Sequence, residues 1–181
     1  MPGVRGERCL RISGACLVAG VLSGFTSTLN ESGVPLLAQF ALEWAPGLIF
    51  GIAFALAAGA SVANVAYFAA VSAIDYYLAV QAYIKISASP GALVAGFGGA
   101  LVLVLAAQFI LHFPIPGMLR VVTIALIGAG AGFFFVMLMA SGAGPPASPV
   151  LAVSAYSLWQ TAVAAAMAWF SAAGPLPADA H

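Results

Sequence analysis

The sequence predicts an all-α, polytopic integral membrane protein: a bundle of about six transmembrane helices in one domain, residues 1–181. Three observations predict it. Hydrophobic residues make up 64% of the chain and charged residues 6%, where a soluble domain carries about 25% charged. The mean hydropathy is +1.11. The apolar residues also fall in long continuous runs between Gly, Pro and Ser clusters, and a spanning helix needs about 20 of them. Backbone amides in a bilayer must bond internally, which leaves helices or a closed barrel. Barrel strands are short and alternate apolar with polar residues; these runs do not, so helices are predicted.

The charges limit function. Five Lys and Arg balance five Asp and Glu, so no basic field exists to attract nucleic acid. The expected partners are the lipid bilayer, a small solute or ion, and a second copy or a membrane partner subunit.

Residues 1–11 are polar, with Arg5, Arg8 and Arg11 against Glu7. Span 1 follows, over 12–29. It lacks a clear small-x-small cleavage site and more spans come after it, so it reads as a span, not a signal peptide. Cys9 and Cys16 would stand roughly 10 Å apart along one helix, too far for a disulfide within the chain. Gly20-xxx-Gly24 permits close helix approach. Asn30-Glu31-Ser32-Gly33 is a turn cluster. It also matches the N-x-S glycosylation pattern, which matters only in a eukaryotic secretory membrane.

Span 2, residues 34–58, carries Glu43 and a break at Pro46-Gly47. Gly59-Ala60-Ser61 makes a tight turn into span 3, residues 62–84. Ser87, Ser89 and Pro90-Gly91 predict a loop. Span 4 covers 92–112 and is stopped by Pro114, Pro116 and Gly117. Span 5, residues 118–140, contains Gly128, Gly130 and Gly132, which favour close packing over any nucleotide-loop reading. Residues 141–149 are loop, span 6 covers 150–170, and a Gly/Pro/Ala tail ends at His181. With six spans, Arg5, Arg8, Arg11 and Arg120 fall on one side and Lys85 on the other. The positive-inside rule then puts both termini in the cytoplasm. The expected location is the bacterial inner membrane.

Ionisable residues inside a membrane are costly and default to function. Glu43 and Asp75 qualify. On antiparallel spans they share a depth some 13–15 Å below the outer surface. Carbonyls freed at Pro46-Gly47 could add ligands beside Glu43. The plainer alternative makes 34–44 a short amphipathic or re-entrant segment at the interface, with Trp44 as anchor. On span 3, Asn64, Phe68, Ser72, Asp75 and Ala79 recur on one face, while Tyr76, Tyr77 and Tyr83 fit an aromatic belt at its outer end. Span 6 separates a small face (Ser154, Ser157, Thr161, Ala164, Ala165, Ala168), expected to pack on other helices, from a bulky one (Tyr156, Trp159, Val163, Met167, Phe170). Gln160 lies between them and is the expected partner of Asp75.

His112 reads as a helix-end residue. No metal-ligand cluster, catalytic triad spacing or cofactor fingerprint is present, so no metal and no cofactor is expected. The scarcity of nucleophiles and bases argues against an enzyme. The expected function is movement of a small solute or ion, alone or as the membrane subunit of a transporter. Its site would lie between spans 2, 3 and 6 on Glu43, Asp75, Asn64 and Gln160. The competing expectation is a structural or assembly subunit whose polar residues only join helices.

Overall fold

The computed structural model of the chain describes residues 2–27, 35–86, 88–141 and 149–171. The regular structure among them is helical: α1 Pro2–Ser27, α2 Pro35–Glu43, α3 Ala45–Ala58, α4 Val62–Ile86, α5 Ala88–Ile110, α6 Met118–Ser141 and α7 Pro149–Phe170. Among the described residues, five helices are long and apolar enough to cross a membrane, or six if α2 and α3 form one bent span. Large apolar side chains point outward on every one of the seven helices, with Phe109 78% exposed. A surface so apolar in water would far exceed the few hundred Å² of contiguous patch that soluble monomers tolerate. The fold is therefore compatible with an integral membrane location.

The helix limits differ from expectation in three places, each for a local reason. The polar N-terminal residues are helical from Pro2, continuous with the apolar run. The loop expected at 87–91 shrinks, because α5 starts at Ala88. Pro90 then sits in the first turn, where its missing N–H has no intrahelical partner to lose. The break in the second span falls at Trp44, two residues ahead of the Pro46-Gly47 pair, and bends the chain by 46°. Pro46 causes it: in the first turn of α3 it cannot donate back to the α2 residue four positions before it. The expected turn at 30–33, Ser87, most of the 141–149 loop and the tail at 172–181 lie outside the described residues.

The helices close a ring. α1 packs on α3, α3 on α4, α4 on α5, α5 on α6, α6 on α7, and α7 returns to α1, while α2 touches the bundle only lightly. Glycines let three of these seams close. Added side chains at Gly20 and Gly24 would strike Ser157 and Val153 of α7. At Gly51 a Cβ would lie 2.6 Å from Ala69 Cα on α4. Gly96 and Gly128 are set against each other's backbones between α5 and α6, with Gly132 beside them; Gly130 faces open space. The small stripes read from the sequence are thus contact faces, as small residues permit. The small face of α7 meets α1 through Ser157, and its bulky face turns inward, with Tyr156, Val163 and Met167 buried.

Turn chemistry sets the connections. Gly59, at φ 83°, ends α3 with hydrogen bonds from its own N–H to the Leu56 carbonyl and from Ala60 N–H to the Ala55 carbonyl, both at 3.0 Å. This Schellman geometry needs the left-handed backbone that glycine adopts freely. His112 takes a left-handed conformation past the end of α5, at φ 51°, which agrees with its reading as a helix-end residue.

The ring has two distinct ends. At one, α1 and α6 begin and α7 finishes. Arg120 Nη1 donates to the Phe170 carbonyl at 3.2 Å, and the Arg8 guanidinium lies 4.5 Å from the Phe113 ring centroid. At the other, α4 passes into α5 and Lys85 is exposed. These are called the arginine end and the hairpin end below.

Candidate functional site

Asp75, Gly99 and Gln160 each stand eleven residues from the hairpin-end terminus of their helix, so all three lie about 16 Å below that end. Around and above them is a partly open cavity of about 210 Å³ walled by α4, α5, α6 and α7. It runs from Asp75, Gly99 and Gln160 at its inner end to Tyr83, Ala92 and Val136 nearer the hairpin end. The wall is almost wholly apolar and includes five aromatic side chains, Tyr76, Tyr83, Phe135, Tyr156 and Trp159.

Asp75 is 7% exposed. Its carboxylate has no hydrogen-bond donor and no cation among the described residues, and it forms part of the cavity wall. On the facing helix, a Cβ at Gly99 would lie 3.3 Å from Asp75 Oδ2. The absent side chain is what leaves room at the carboxylate. A buried acid without a donor is expensive, about 2.5–3.5 kcal/mol at the centre of a span on insertion scales.

Gln160 is 2% exposed. It does not pair with Asp75, as the sequence suggested it would. Its Nε2 donates to Ser23 Oγ at 2.9 Å and to the Pro46 carbonyl at 3.2 Å. A carbonyl can only accept, so the amide's orientation is determined by Pro46. Its Oε1 is buried without a partner. Gln160 therefore ties α1, α3 and α7 together at the inner end of the cavity. The nearby Ser72 hydroxyl donates to the Gly47 carbonyl at 2.7 Å. Both carbonyls of the Pro46-Gly47 pair are thus used in joining helices.

Glu43 and Asn64 do not line the cavity. Trp44, the chain neighbour of Glu43, stacks on Tyr77 of α4 with centroids 4.7 Å apart. Glu43 is partly exposed at the end of α2, and its Oε2 accepts from Gln39 Nε2 at 3.3 Å. Asn64 lies in the first turn of α4, about 16 Å along the helix from Asp75; its backbone N–H is capped by Ser61 Oγ at 3.4 Å. The structure therefore joins two of the four expected residues. It also moves the space from between spans 2, 3 and 6 to between the third, fourth, fifth and sixth.

Sequence reasoning missed Gly99, Gly96, Phe135 and the cavity role of Trp159. The signal for Gly99 was a glycine in the span paired with an acid-bearing one, but a lone glycine does not reveal which neighbour it faces. Of the belt tyrosines, Tyr76 and Tyr83 line the cavity, and the Tyr76 and Tyr156 hydroxyls bond to each other at 2.6 Å. Comparison of the chain with protein-family models, with curated proteins and with solved structures finds no match in any of the three.

Proposed function

We propose that the protein is a six-span integral membrane protein, of bacterial inner-membrane type with both termini cytoplasmic, that moves a small solute through its bundle, alone or as the membrane subunit of a larger transporter. The observation that carries this reading is the unpartnered, buried Asp75 carboxylate in the wall of the cavity. In a purely structural role the acid would be bonded to a neighbouring helix, as Gln160 and Ser72 are. A cavity of about 210 Å³ lies below the usual 300–1,000 Å³ of drug-sized pockets, so the solute is small. The arginines gathered at one end support the orientation.

The test needs no knowledge of the solute. In a background lacking Cys9 and Cys16, cysteines replace Ala79 and Ala95 on the cavity wall, and membrane vesicles of each orientation are treated with a membrane-impermeant methanethiosulfonate reagent. A pathway exposes these positions in turn to both sides, so both preparations should react. Reaction from neither side, or from one side only, would overturn transport and leave the assembly-subunit reading.

A further inference from the structure

We infer that the cavity takes a small organic cation, with an ammonium or amidinium group against the Asp75 carboxylate and an apolar body against the aromatic wall. This rests on the reading of the cavity as a solute site and deepens it by naming the solute's chemistry. Four observations converge on it.

The acid has no donor among the described residues. Lys85 is exposed at the hairpin end and Arg8 and Arg120 lie at the opposite end, so none of these cations belongs to the cavity wall. The hydroxyls of Tyr76 and Tyr156 bond to each other, not to Asp75. A ligand that brings its own N–H donors and positive charge would supply what the site lacks.

The space in front of the carboxylate is held open by Gly99. The remaining wall suits a cation with hydrocarbon attached. Tyr83, Phe135, Tyr156 and Trp159 present aromatic surface, and aromatic faces attract cations, more strongly when water is excluded.

Other ligand classes fit less well. An anion would be repelled by Asp75 and finds no cation on the wall. A bare metal ion needs about six oxygens when hard, and the wall's polar side chains are Asp75, Gln160 and three tyrosines, two of them bonded to each other. No cluster of three metal-ligating side chains occurs among the described residues. A polyhydroxylated solute would need many polar partners, and the wall is almost wholly apolar.

The experiment uses the full chain in nanodiscs of zwitterionic phosphatidylcholine, so that lipid charge does not attract cations by itself. Binding of benzylammonium, tetramethylammonium and guanidinium is measured by calorimetry, with benzyl alcohol and benzoate as neutral and anionic counterparts of the first. Benzylammonium should bind at least about tenfold more tightly than benzyl alcohol, and benzoate should not bind. Asp75→Asn should remove that preference while eluting as a single species, and Asp75→Glu should restore part of it. A second measurement keeps Asp75 intact: benzylammonium, and not benzyl alcohol, should slow thiol labelling of the Ala79→Cys protein. The inference is overturned if none of the three cations binds, if benzyl alcohol matches benzylammonium, or if Asp75→Asn keeps the preference. Should that happen while the Ala79→Cys and Ala95→Cys proteins still label from both sides, the pathway stands and only the cation class fails. If neither position labels, both readings fail together.

Discussion

The two ends of the helix ring are built from the same kinds of helix and yet differ inside. Toward the arginine end the interior is filled: Phe54 packs on Phe68 and Phe113 with centroids 5.5 Å from each, among Val104, Ala107 and Met167. Toward the hairpin end the same ring encloses the cavity, lined by Gly96, Gly99, Gly132, Ala79, Ala92 and Ala95 beside the aromatic rings and Asp75. Small residues act differently in the two settings. Where a glycine faces another helix's backbone, as Gly128 does, the helices close on each other. Where it faces the ring's interior opposite an acid, as Gly99 does, it leaves space. The difference separates the parts of the molecule that hold the ring from the part free to accept something.

The comparison breaks most severely at the seams. Gly128→Leu should lower the yield of folded protein by roughly tenfold or more, since its side chain meets Ala100 and the Gly96 carbonyl directly. Gly130→Leu, pointing into open space, should match wild type in fluorescence-detected size exclusion. Equal yields would remove the seam explanation.

Next is the filled end against the hollow one. Phe54 is fully buried, and Phe54→Ala should destabilise by about 3–5 kcal/mol, the range for emptying an aromatic core site. Ala95→Leu, which adds atoms into existing space, should cost less than the roughly 1–3 kcal/mol of overpacking a filled core and should reduce solute binding. Reversible denaturant unfolding measures both, and a large loss from Ala95→Leu would show the cavity to be tighter than its geometry.

A smaller effect is expected at the tie between the two regions. Gln160→Leu leaves the Pro46 carbonyl and the Ser23 hydroxyl without their donor, while removing one buried unpartnered oxygen. A net loss of about 1–2 kcal/mol is expected, with the α1, α3 and α7 junction loosening first in hydrogen exchange. Unchanged protection there would show the tie to be redundant.

The smallest effect belongs to Glu43. Being partly exposed and bonded only to Gln39, Glu43→Gln should change stability by no more than about 0.5 kcal/mol and leave cavity labelling at wild-type rates. Asp75→Asn should abolish the cation preference. If Glu43→Gln abolished it too, the two acids would share a site after all.

Much of this architecture is legible in the sequence. Run length and composition suffice for six apolar segments, because the bilayer requires about 20 residues per span and internally bonded backbone. Gly59 announced its turn, and the contact faces at Gly20, Gly24, Gly128 and Gly132 were readable as small-residue spacing. Asp75 was marked by its cost alone.

What the sequence by itself determined was therefore axial: about six apolar segments in succession, and how far along its segment each polar residue lies. Which side of a helix faces which neighbour was decided by the tertiary structure alone. The rotation of α4 about its axis sends Asp75 toward Gly99 of α5, and the bend at Trp44 leaves Glu43 on the outside, because Pro46 interrupts the helix before α2 can pack. Gln160 turns to Ser23 and Pro46 because α7 closes the ring onto α1, a contact between the two ends of the chain. Helical periodicity orders residues around one helix, but the choice of neighbour depends on which seams can close. That is settled by backbone approach at glycines spread over α1, α3, α5 and α6, which no single segment contains.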